Sequence, residues 1–178
     1  MKKEFNVKNM VKASIFLAIA VILQLIQRNF TSINPLLIGP LINTVLLLCT
    51  YSCGVAYGIM LSILIPVFAI FTAALAPIMI PFSPFIILAN ILFAASFAMV
   101  MNRKYGIYLG ALLASFVRFG FFSVASAKLI YILHLGIAPT AAKAIGAAFG
   151  APQLLVALLG SAVAVILIRA LKRRKTAF

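Results

Sequence analysis

Few side chains in this sequence can carry acid–base, nucleophilic or metal chemistry. There is one carboxylate, Glu4, one histidine, His134, and two cysteines, Cys49 and Cys53, against fifteen Lys and Arg. A general acid–base pair, a carboxylate-held metal and a carboxylate proton relay all need Asp or Glu among the reacting groups. Glu4 precedes the first apolar stretch, so the apolar part of the chain contains no acid. Cys49 and Cys53 stand four apart with no second cysteine pair, whereas a zinc site takes three or four ligands. They read as small residues at a packed turn. Neither a Gly-x-Ser-x-Gly elbow nor a phosphate-binding Walker motif is present. The expectation is a protein that binds or transports, with no catalytic residues, no metal and no cofactor.

The elements that position these few groups are apolar. Hydrophobic residues make up 66% of the 178 positions and charged residues 9%, where a soluble domain carries roughly 25%. At about 20 residues per span the length accommodates five to six membrane helices and no soluble domain. The apolar segments run about 10–26, 36–50, 54–75, 85–101, 107–133 and 153–170. Gly39-Pro40 and Pro66 predict kinks, or for the former a delayed start. Tyr51, Ser52 and Cys53 form a tight joint. The stretch 76–84 holds Pro77, Pro81 and Pro84 and is excluded from regular α-helix. Residues 140–149 form either a short helix or a re-entrant piece before the last span. The fold class is therefore all-α: one polytopic membrane domain over residues 1–178 with six transmembrane helices and basic tails at about 1–9 and 171–178.

The net charge of +14 does not point to nucleic acid, because its positions are topological. Lys2, Lys3, Lys8 and Lys12 open the chain, Arg103 and Lys104 occupy one loop, and Arg169, Lys172, Arg173, Arg174 and Lys175 close it. By the positive-inside rule all three regions face the cytoplasm, which places both termini there and the chain in the plasma membrane.

Polar side chains inside spans are costly and mark function by default. Arg118 is twelve residues past Gly106, so it lies about 18 Å into the membrane, near the midplane. With no acid to pair with, its partners are carbonyls, Asn or Gln side chains, water or a bound anion, and ligand contact and capping of helix carbonyls both stand as readings. Lys128 lies near the outer end of the same helix, where snorkelling to the interface is the alternative to ligand contact. Gln24, Asn90 and Gln153 fall in the same outer half, and Asn43 lies within its span. A pocket bounded by these residues, with stacking faces from Phe30, Phe82, Phe85, Phe119, Phe122 or Tyr131, is the expected binding site. His134 and Lys143 belong to the outer connections.

Small residues four apart let helix backbones approach closely in lipid. Most such pairs here read as internal packing. Ser14 and Ala18 in the first segment, with Ala13 beside them, lie near the Lys-rich end and read either as packing or as a docking face for a membrane partner.

A chain of this length with six spans, both ends inside, a basic start and a small-residue motif in the first helix resembles the substrate-binding S component of an energy-coupling factor (ECF) vitamin transporter. The stretch Gly39-Pro40-Leu41-Ile42-Asn43-Thr44, the proline-rich connection 77–84 and Asn90 carry the same resemblance. It implies high-affinity binding of a vitamin or vitamin precursor in an outward-facing pocket. It also implies docking through the first helix onto a transmembrane coupling subunit, with two cytoplasmic ATPases driving release. The family motif is Ala-x-x-x-Ala; the matching positions here read Ser14 and Ala18. Unpaired cations without any acid favour an anionic ligand such as pantothenate, nicotinate, biotin or a folate over cationic thiamin. The competing readings are a stand-alone transporter or channel without an ATPase partner, and a bundle that only binds other membrane proteins.

Overall fold

The structure, a computed structural model, describes residues 6–29, 35–126, 146 and 150–175. Every regular element among them is helical. Apolar sequence buried in lipid must satisfy each backbone N–H and C=O internally, and a helix does so within one segment. The elements are α1 (Val7–Asn29), α2 (Pro35–Cys53), α3 (Val55–Phe71), a 3-10 helix (Pro77–Phe82), α4 (Ser83–Val100), α5 (Gly106–Val124) and α6 (Ala151–Lys175). Four stretches are long and apolar enough to cross a membrane: Val7–Asn29, Met79–Val100, Gly106–Val124 and Ala151–Arg173. Leu37–Cys53 and Val55–Phe71 are shorter apolar helices. At 1.5 Å per residue the latter two are about 25 Å long, just under a typical hydrocarbon core.

The boundaries differ from expectation where backbone detail decides them. α2 starts at Pro35, so Gly39-Pro40 does not delay it, and neither Pro40 nor Pro66 interrupts its helix. The joint between α2 and α3 is Gly54 alone, at φ 108°, a conformation that side-chain-bearing residues rarely adopt. α3 closes with a Schellman arrangement. The Ala73 N–H donates to the Ile70 carbonyl and the Ala74 N–H to the Ala69 carbonyl, with Ala73 at φ 51° where glycine is usual. The proline-rich connection forms the 3-10 helix. α5 is α-helical to Val124, followed by a π turn at Ala125 and Ser126; the remainder of the expected span to residue 133 and, apart from residue 146, the segment 140–149 lie outside the described residues. At its other end α6 continues to Lys175, five residues past the expected end of the last span.

Helices α2 to α6 pack in sequence order and close into a ring through α2 against α6. α1 lies outside this ring, against α2 and α3. Close approach rests on small residues: Ala20, Ala94, Ala114, Ala157 and Ala164 are fully buried. Gly160 of α6 sits directly on α2. A Cβ there would come within 2.6 Å of the Pro40 carbonyl oxygen and 2.7 Å of Asn43 Cβ. Backbone cannot move aside as a flexible side chain can. Gly160→Ala is therefore expected to force α2 and α6 apart at a cost of about 1–3 kcal/mol, read as a lowered thermal midpoint of the purified protein. An unchanged midpoint would show that this helix pair is looser than the structure has it.

Candidate ligand-binding site

A row of short polar side chains runs between the helices beneath the site. Thr44 Oγ1 lies 2.8 Å from the Pro40 carbonyl and 2.9 Å from the Gly160 carbonyl, so its single proton serves α2 or α6. Ser115 Oγ of α5 is 2.9 Å from the Ala111 carbonyl and 2.9 Å from Ser161 Oγ of α6. Such interhelical bonds average about 0.6 kcal/mol in membranes. One turn further along α5 from Ser115, the chain places Arg118.

Arg118 is 8% exposed. Its Nη1 donates to Asn43 Oδ1 at 2.7 Å, and Asn43 Nδ2 in turn reaches the Val156 carbonyl at 3.4 Å. Within the fold its hydrogen-bond partner is thus a side-chain amide on α2, one of the partners the sequence left open. The guanidinium also lies 5.2 Å from the ring centre of Phe93 and 5.4 Å from that of Phe122. Aromatic faces and one amide dipole attract a cation without neutralising it. Arg118 Nε has no hydrogen-bond partner. Among the described residues there is no Asp or Glu at all. The positive charge is therefore held in position and left uncompensated.

Arg118 borders a cavity of about 640 Å³ that touches all six helices. Its polar lining is Gln24 and Gln27 from α1, Asn43 from α2, Asn90 from α4, Arg118 from α5 and Gln153 from α6. Apolar walls come from Ile42, Ile65, Ala69, Leu75, Met79, Ile86 and Val156 among others. The volume lies in the 300–1,000 Å³ range of small-molecule sites, which characteristically combine apolar walls with a few placed polar groups. Gln24 is held by its Nε2 donating to the Ile65 carbonyl at 2.8 Å, which ties α1 to α3. Its Oε1, like that of Gln153, is buried without a partner. An unsatisfied buried polar atom costs about 1–3 kcal/mol unless water or a ligand completes it. The arrangement thus presents an unpaired cation and two unpaired acceptors: it suits a solute with an anionic group and at least one N–H or O–H donor.

Of the residues nominated from sequence, Gln24, Asn43, Asn90, Arg118 and Gln153 line this one cavity. Lys128, His134, Lys143, Phe30 and Tyr131 lie outside the described residues. The aromatic expectation is corrected: none of Phe82, Phe85, Phe119 and Phe122 lines the cavity. Phe122 backs Arg118 instead. Phe82 stacks on Phe85 at 5.1 Å and on Phe122 at 6.3 Å, which pins the 3-10 helix to α4 and α5 and so sets Met79 and Ile86 in the wall. Gln27 was missed. Its spacing of three from Gln24 puts both on one helix face, which is the signal that finds it.

On α1, Ala13, Ala20 and Gln24 form an inward stripe, all buried. Ser14 and Ala18 are exposed on the outer side of the helix, flanked by exposed Val11, Ile15 and Ile22. Ser14 Oγ bonds only its own helix, to the Met10 carbonyl at 3.1 Å. Ala13 therefore belongs to the internal packing and not to an outer face.

Fold and cavity define a helical protein with membrane-length apolar helices around a hollow that suits a small solute. The family model described as "ECF transporter, substrate-specific component" matches residues 8–171, nearly the whole chain, and the protein belongs to that family. Neither a curated protein nor a solved structure matches it. The members of this family are binding subunits of membrane transporters rather than enzymes.

Proposed function

We propose that this chain is the high-affinity binding subunit for uptake of a vitamin or vitamin precursor that carries an anionic group. In this reading residues 1–178 form a single domain in the plasma membrane with six spans and both termini in the cytoplasm. The cavity opens outward, Arg118 meets the anionic group, and Gln24, Asn43, Asn90 and Gln153 surround the remainder. The exposed Ser14–Ala18 face of α1 docks on a transmembrane coupling subunit, and two separate ATPases drive release. Three features support it: family membership, the position of α1 outside the helix ring, and above all Arg118 held against the cavity with no acid among the described residues to balance it.

A thermal-shift screen of the purified protein against pantothenate, nicotinate, biotin, folate and thiamin tests the proposal. Ligand at 100 times its Kd adds about 2.7 kcal/mol of stability, a shift well above background. The expected result is stabilisation by one anionic compound. Stabilisation by thiamin alone would reject the anionic assignment.

A further inference from the structure

A second hollow lies at the opposite end of the bundle, about 18 Å along α5 from Arg118. It encloses about 260 Å³ and is lined by Met101 and Arg103 of the 101–105 loop, Tyr105 to Tyr108 at the start of α5, and Arg169 and Lys172 of α6. Positive-inside topology requires basic residues only on the right side of the membrane. It does not require three of them, from a loop and a separate helix, to converge on one hollow. Arg169 is also fixed in place: its guanidinium lies 4.8 Å from the centre of the Tyr108 ring. The start of α5 adds the partial positive charge of a helix N-terminus. That start is built tightly, since a Cβ on Gly106 would run into the Val100 carbonyl and Tyr105 before it holds a left-handed backbone at φ 62°. No acid stands among the described residues to offset Arg103 and Arg169, and the Lys172 ammonium lies 5.7 Å from the centre of the Tyr51 ring.

We propose that this hollow binds the phosphate of an anionic membrane lipid. Clustered like charges in a pocket between membrane helices are stabilised by an anionic headgroup at the interface. The surface beneath the hollow suits the rest of such a lipid. Leu112, one turn deeper than Tyr108 on α5, and Ile166, one turn deeper than Arg169 on α6, are both exposed. With α5 packed against α6, they extend an apolar strip from the basic hollow into the hydrocarbon region, along which an acyl chain fits.

The test uses the purified full-length protein in a neutral detergent, with native mass spectrometry as the readout of bound lipid. Short-chain phosphatidylglycerol is compared with phosphatidylcholine and with inorganic phosphate. The wild type is expected to retain phosphatidylglycerol preferentially, and Arg103→Gln with Arg169→Gln to weaken that retention by about thirtyfold. Lys8→Gln with Lys12→Gln removes the same charge from exposed positions of α1 outside the hollow and is expected to leave retention unchanged. Equal loss in the two double variants would reduce the effect to bulk charge and overturn the site. Equal retention of phosphatidylcholine, or full displacement by inorganic phosphate at the lipid's own concentration, would overturn the lipid assignment.

Discussion

Arg118→Met is expected to abolish recognition of an anionic ligand while leaving the protein folded. Methionine keeps an apolar stem between Phe93 and Phe122 but is shorter and removes the guanidinium that lies over both rings, and with it the charge. A lone buried charge costs several kcal/mol of desolvation, so its removal offsets the lost hydrogen bond and the ligand-free thermal midpoint should hold or rise. The main structural loss is one hydrogen bond, which leaves Asn43 Oδ1 unpaired at a cost of about 1–3 kcal/mol unless water from the cavity completes it. Binding is different. Removing one partner of a buried, hydrogen-bonded charge pair costs about 2–5 kcal/mol, a loss of at least about 30-fold in affinity. Arg118→Lys keeps the charge but loses the planar fork and its stacking, so it should bind with intermediate strength. The measurement is a calorimetric titration of each variant with the compound that stabilises the wild type. Wild-type affinity in Arg118→Met would remove Arg118 from the binding site.

The second large effect concerns α1. Ser14→Trp and Ala18→Trp place bulk on an exposed helix face, where nothing within the chain is displaced. Ligand binding by the isolated protein should be unaffected. Uptake by cells that also hold the coupling subunit and ATPases should fall by more than about tenfold, because small residues are what permit close helix approach in lipid. Ala13→Trp makes the contrast. Ala13 is 5% exposed and packs inward, so bulk there should destabilise the isolated chain itself by about 1–3 kcal/mol. Uptake that survives both outward substitutions would separate this protein from first-helix docking and return weight to a transporter that works alone.

These two predictions rest on information of different kinds. The absence of acids, the depth of Arg118 and the inventory of Gln24, Asn43, Asn90 and Gln153 follow from residue order alone. Burying a polar group in lipid is so costly that each one inside an apolar segment stands out. The family resemblance was legible for the same reason: segment lengths, proline positions and the small pair in the first helix are linear features. Which way α1 turns was not legible, because Ala13, Ser14 and Ala18 are all small and nearly apolar. Hydrophobicity cannot separate an inward face from an outward one when lipid and protein interior are alike.

The sequence by itself determined an all-helical membrane chain, basic at both ends, with an unpaired arginine deep inside it. Helix periodicity, the solvation cost of backbone in lipid and the rarity of charge there are local rules that act residue by residue. Only the tertiary structure decided that Arg118 meets Asn43 across 75 positions of chain, that five helices close a ring with α1 outside it, and that Phe122 serves the arginine rather than the cavity. Those outcomes depend on which small residues let which backbones touch, as Gly160 does against Pro40. Such steric fit exists only between segments distant in the chain.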